Sequence, residues 1–290
     1  MQPHPTSLPD TSSEGLAGPP SVAWKINGEV ITLFGWGPAI LLQLAHPLVA
    51  AGVAEHSRFL ADRHGRLRRL RQTLRAMLAL TFGDSAQVAQ AADGINRIHD
   101  SVNGELREDT PAFPAGTRYS AHDPELLRWV HATLLEMLPR TYELYVGPLT
   151  PAEKDRYCLE ASGLAPLLGI PDGYLPTTMA ENRAYMECMY ASGQISVTNL
   201  ARALAREIVY PPHPLPARPL LWLMRLPTLG LLPPAIRQAY GLPWTRRDER
   251  ALERSAALIR RLLPLTPTVL RHWPAARAAR RRARQGVAGG

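Results

Sequence analysis

The chain has 290 residues, enough for one large core, and no internal linker divides it. Hydrophobic residues make up 46% with few aromatics, and Leu and Ala dominate, both good helix formers, so an all-α fold is expected and an extensive sheet is not. The net charge of +8 is local: from Thr245 onward twelve arginines face only Asp248, Glu249 and Glu253, which leaves the first 244 residues near −1 and argues against specific nucleic-acid binding.

Residues 1–20 are rich in Pro, Ser, Thr and Gly and read as a disordered N-terminal tail without the basic and apolar regions of a signal peptide. The stretch 38–54 carries no Lys, Arg or carboxylate. Gln43, His46 and Pro47 interrupt it, so it reads as a buried central helix with peripheral membrane contact left open. Pro47 has no amide to donate to the carbonyl of Gln43, and the helix is expected to kink or open beside His46.

Helix starts are legible further along. Asp123-Pro124-Glu125 offers a cap followed by a proline at the first helical position. Thr150-x-x-Glu153 and Thr178-x-x-Glu181 have the capping-box form, and Thr245-x-x-Asp248 is a weaker version. Periodicity between these marks predicts about eight main helices near 38–60, 66–82, 85–103, 124–146, 151–168, 178–191, 196–209 and 246–263. The proline-rich stretch 210–235 reads as a wrapping segment with short helices. Residues 21–270 are taken as one domain, and 271–290, with the run Arg277 to Arg284, as a solvated basic tail. Cys158 and Cys188 are too few and too isolated for a disulfide framework or a zinc site, so a reducing, cytoplasmic location is expected.

Nine histidines occur. Five of them, His4, His64, His122, His213 and His272, fall in tails, turns, the proline-rich stretch or beside caps. Three others share helix faces with apolar residues: His46 with Leu42, Val49, Ala50 and Val53; His99 with Val88, Ala92, Ile95 and Val102; His131 with Leu127, Leu134, Leu135 and Leu138. A single such residue is more often a hydrogen-bonded core histidine than a ligand. Three in one domain each need a partner once desolvated. A di-iron bundle needs Glu-x-x-His pairs, a zinc protease H-E-x-x-H, and an α/β hydrolase G-x-S-x-G; none is present. A non-covalent haem needs one axial imidazole and an apolar slot, which this sequence can supply.

Several segments together carry a resemblance. They are L-L-Q-L-A-H-P-L-V-A-A-G-V-A-E-H-S-R-F (41–59), Arg69-x-x-x-Thr73, T-F-G (81–83), I-H-D-S-V-N-G (98–104) and Y-S-A-H-D-P-E-L-L-R-W-V-H-A-T-L (119–134). Their order and content resemble the oxygenase family of the bacterial latex clearing proteins (rubber oxygenases) and the fungal oxygenase MpaB, over residues 24 to 263. The resemblance implies a globin-like all-α bundle around a pocket for haem b. It gives the axial, iron-ligating role to His99, with His131 and His46 as pocket residues. It places Arg69 and Thr73 close to the haem and matches an acidic base to Glu55. The relatives' distal lysine falls where this chain has Gln72, so a lysine-capped distal state cannot form, which argues against rubber as substrate. The implied reaction uses O2 to cleave a carbon–carbon double bond in an apolar, isoprenoid-like small molecule. The rival readings are a haem carrier or sensor without turnover, and a cofactor-free scaffold that docks through its basic end.

Overall fold

The computed structural model describes residue 18 and residues 21–56, 63–211 and 218–288. The expectation of a disordered N-terminal tail therefore falls almost wholly outside the described residues. The fold is all-α, as expected, with one small exception. In chain order come α1 (Val22–Asn27), a 3-10 turn (Val30–Gly35), α2 (Trp36–Leu44), α3 (Pro47–His56), α4 (Arg63–Phe82) and α5 (Ser85–Ser101). A two-stranded antiparallel hairpin follows, β1 (Asn103–Glu105) and β2 (Arg118–Ser120), in a region where no strands were expected. Then come α6 (Pro124–Tyr145), α7 (Pro151–Ser162), α8 (Met179–Ala191), α9 (Asn199–Val209), α10 (Arg218–Gly230), α11 (Pro234–Ala239), α12 (Arg246–Leu262), α13 (Thr268–Arg271) and α14 (Pro274–Ala288).

The capping motifs work as the sequence predicts. Thr150 with Glu153, Thr178 with Glu181, and Thr245 with Asp248 each form a reciprocal capping box, which satisfies two otherwise free backbone donors at the helix start. Asp84 with Gln87 forms a fourth that the motif reading did not pick out. The expected helix 38–60 is two helices. The pair formed by Val30–Leu44 and Pro47–Glu55 bends by 106°. Pro47 is the cause: the carbonyl of Gln43, denied a helical donor, accepts instead from the His46 amide at 3.2 Å and from Trp129 Nε1 at 3.4 Å. Ser196 N donates to the carbonyl of Ala45 at 3.0 Å and stitches the corner from outside.

α6 is the central element. Trp129, Ala132, Leu135, Met137 and Tyr145 on it are at most 1% exposed. α2 lies along it, tied by Gln43 Nε2 donating to Thr133 Oγ1 at 3.0 Å. The turn before α2 approaches more closely still: a Cβ on Gly35 would stand 2.5 Å from Thr141 Oγ1 and 3.1 Å from the Met137 carbonyl. Only glycine allows that contact.

The C-terminus corrects one expectation. Residues 274–288 are a helix packed on the body, not a solvated tail. Ala276 and Ala279 are fully buried against Trp24 and Phe82. Ahead of α14, Glu29, 3% exposed, takes a bidentate pair from Arg271 at 2.6 and 2.9 Å and lies 3.3 Å from His272 Nε2. Trp273 N donates to the Gly28 carbonyl at 3.1 Å, and Arg282 Nη2 to that of Phe82 at 2.5 Å. Small alanines let the helix sit close; arginine alone gave the sequence a solvated look.

Candidate functional site

Three of the segments that carried the resemblance, around residues 41–56, 98–104 and 119–134, meet where α3, the end of α5, the hairpin and the start of α6 come together; Arg69-x-x-x-Thr73 and T-F-G lie apart on α4. Two glycines permit it. A Cβ on Gly52 in α3 would lie 3.2 Å from Val102 and 3.5 Å from the Tyr119 ring, and one on Gly104 would lie 2.6 Å from the Tyr119 hydroxyl. Tyr119 thereby reaches Glu55, donating to its Oε2 at 2.6 Å, while Arg107 Nε stands 2.7 Å from Oε1. Burial first, then the Glu55 carboxylate, pushes the Tyr119 phenol well above its usual range, so it stays protonated and a donor.

His99 sits in the last turn of α5, half-buried, with Nδ1 enclosed and without a hydrogen-bond partner. Its ring meets His122 edge-on at a centroid distance of 5.7 Å, and His122 Nε2 lies 2.8 Å from Asp100 Oδ1. Desolvation, and then the neighbouring His122, lowers the pKa of His99 against an opposing pull from Asp100. The imidazole is thus kept neutral with a free nitrogen. His122, read from the sequence as a residue beside a cap, belongs to this cluster. Its spacing from Asp100 across the hairpin gave no periodic signal.

His131 lies on α6 and lines an apolar cavity with Trp36, Met77, Leu78, Leu134 and Leu164, among others. Its Nε2 is buried without a partner, and desolvation lowers the pKa to about 4. The cavity holds about 80 Å³, well short of the few hundred cubic ångströms usual for a cofactor pocket. His46, 2% exposed at the α2/α3 corner, stacks obliquely on Phe113 at 5.3 Å. Burial lowers its pKa to about 4, only partly offset by a hydrogen bond the ring donates to the Gln194 side chain, and Nδ1 is unpartnered. The three histidines do not face one space: the cavity is lined by His131 and by neither His46 nor His99. Gln72 and Thr73 on α4 are exposed. Arg69 is in the same helix, but its side chain falls outside the described residues. Among the described residues no cluster of three or more His, Cys, Asp or Glu could hold a bare metal ion.

A family model described as "ER-bound oxygenase mpaB/B'/Rubber oxygenase, catalytic domain" matches residues 24–261, most of the chain. The chain belongs to this oxygenase family. It is accordingly an oxidoreductase, one of a family of haem-dependent oxygenases that act on apolar substrates. No individual curated protein and no solved structure is significantly similar to it. Membership of the oxygenase family also overturns the expected cytoplasmic location: the family is described as ER-bound, which implies association with a membrane. Cysteine usage, on which that expectation leaned, reports redox compartment and does not test attachment to a membrane. No single helix among the described residues is long and apolar enough to cross a bilayer, and the pair that has the composition is the one bent by 106° at His46.

Proposed function

We propose that residues 21–270 form a globin-like bundle that holds haem b, with His99 as the axial iron ligand, and that the enzyme uses O2 to cleave a carbon–carbon double bond in an apolar, isoprenoid-like molecule. The observation that carries this reading is the family match, joined to a neutral imidazole at His99 with an enclosed, unpartnered nitrogen. A haem iron needs one such nitrogen from the protein and an apolar slot. The donor chemistry fits; the cavity lies beside His131 and not His99, and would have to widen and reach His99 to take a macrocycle.

When bound, haem supplies the iron redox chemistry that activates O2. The chain's own residues do the rest. The leucines and Met77 of the cavity exclude water and accept an apolar substrate. His131, neutral at Nε2, is able to hydrogen-bond a polar group brought into that space. Arg69 and Thr73 are assigned to polar groups near the haem, and Glu55 to proton abstraction. Both Glu55 oxygens are engaged here, so it must exchange a partner to act as a base. Arg107, whose side chain is 85% exposed, is the partner most easily released. Gln72 in place of the relatives' lysine favours a substrate other than rubber.

A second reading is favoured by one observation: His131, not His99, lines the apolar cavity. Absorption spectra of protein from haem-replete cells separate the two. A Soret band lost in His99→Ala and kept in His46→Ala and His131→Ala supports the first reading. Loss in His131→Ala with retention in His99→Ala supports the second. Wild-type protein without a Soret band after reconstitution overturns both. Haem-loaded protein that never consumes O2 with isoprenoid alkenes is instead a carrier or sensor.

A further inference from the structure

Among the described residues nine large hydrophobic side chains are exposed, and five of them fall within thirteen residues: Leu258 (58%), Leu262 (50%), Leu265 (79%), Val269 (61%) and Leu270 (69%). Single exposed leucines are ordinary; such a concentration marks a contact surface. α12 shows how it arises. Leu252, Ala256 and Ile259 pack inward, while Arg254, Leu258, Arg261 and Leu262 recur at i, i+4, i+7 and i+8 on an outward face. Arginine and leucine share one side of the helix there, unlike a purely solvated face.

From Arg254 on, beyond the exposed Glu249 and Glu253 in the first half of α12, the charge around this surface is of one sign. From Arg254 to Gly290 the chain has nine arginines and no Asp or Glu. Arg271 is neutralised by Glu29, and Arg260 and Arg282 are turned to backbone carbonyls. Arg254, Arg261, Arg281 and Arg284 are exposed, and among the described residues no carboxylate pairs with them. Apolar side chains flanked by unpaired arginines are the chemistry of an interfacial segment, in which the apolar groups enter the acyl boundary and the cations meet lipid phosphates. A protein partner or a second copy would have to supply a matching acidic, apolar surface. From Arg254 onward this segment has no carboxylate of its own to offer a second copy in a symmetric contact.

We infer that the surface formed by α12 from Arg254 on, the turn after it, α13 and the outer side of α14 docks on an anionic phospholipid bilayer. Leu262, Leu265, Val269 and Leu270, with α13 and α14, lie past residue 261, where the family match ends, while Leu258 falls within it. The stretch that exposes Val269 and Leu270 continues into Trp273, which lines the apolar cavity. A docked bilayer would therefore adjoin the cavity wall and offer lipid-dissolved substrate a short route in. From the family the inference takes only membrane association; it stands apart from the haem assignment and is read without activity.

The test is co-flotation of the full-length protein with vesicles of phosphatidylcholine alone and with about 30% phosphatidylserine. Binding to the anionic vesicles is expected, weakened about tenfold or more by Leu265→Ser/Val269→Ser/Leu270→Ser and, separately, by Arg281→Glu/Arg284→Glu. All five residues are exposed, and a thermal melt of each variant checks that the fold is retained. No flotation of the wild type, or flotation unchanged in both variants, overturns the inference. So does a wild-type dimer that the leucine variant converts to a monomer without vesicle binding, which would assign the surface to a second copy. Binding lost only on charge reversal and competed away by RNA would assign it to nucleic acid and likewise overturn it.

Discussion

His46 and His131 are imidazoles whose burial holds them neutral, each with a pKa lowered to about 4 against 6.5 in the unfolded chain. Between those values the unfolded state binds protons that the native state refuses, so stability is complete above 6.5 and is lost as pH falls toward 4. For His46, 2% exposed, the loss is on the order of 3 kcal/mol. Urea unfolding at a series of pH values should show a midpoint flat above pH 7 and falling steeply below 6.5, with a shallower fall in His46→Gln; a midpoint constant down to pH 4.5 would contradict this. That these rings face inward was legible in the sequence as helical periodicity. Which space each enters was not, since it depends on the 106° corner at His46 and on the packing around α6. The resemblance alone singled out His99, and nothing local to that residue would have.

The elements owe their ends to local chemistry and their positions to close approaches. Gly35→Ala should destabilise the protein by about 1–3 kcal/mol in equilibrium unfolding, because its Cβ would press on Thr141 and the Met137 carbonyl and drive the turn off α6. Capping boxes at Thr150, Thr178 and Thr245 were legible because both members lie within four residues of each other. The packing of α14 was not. Glu29 and Arg271 are 242 residues apart, and a helix that buries only alanines has no large apolar stripe to betray its inner face. Glu29 is buried and Arg271 one-quarter exposed, so removing either member leaves the other uncompensated. Arg271→Ala is expected to cost about 3 kcal/mol and to expose the Trp24–Phe82 pair, read as a lower melting temperature and a red-shifted tryptophan emission. Glu29→Gln should behave similarly, and the double variant should cost little more than either single one.

For the molecule as a whole, composition was enough to predict a predominantly helical fold, though not the small hairpin, and the family match supplied its class of chemistry. Location was misread from cysteine usage because a protein held at a membrane face keeps the same thiols as one free in solution. The corner at Pro47 has a consequence for how such a chain meets lipid. Run straight, residues 36–55 would make a largely uncharged rod of about 30 Å, the thickness of a bilayer's hydrocarbon core. Folded at that proline, the same stretch becomes two short arms wrapped in protein, and the carbonyls of Gln43 and Ala45 at the corner take donors from Trp129 and Ser196. One missing amide hydrogen thus separates a segment of the length and composition to cross a bilayer from one committed to the interior of a folded domain.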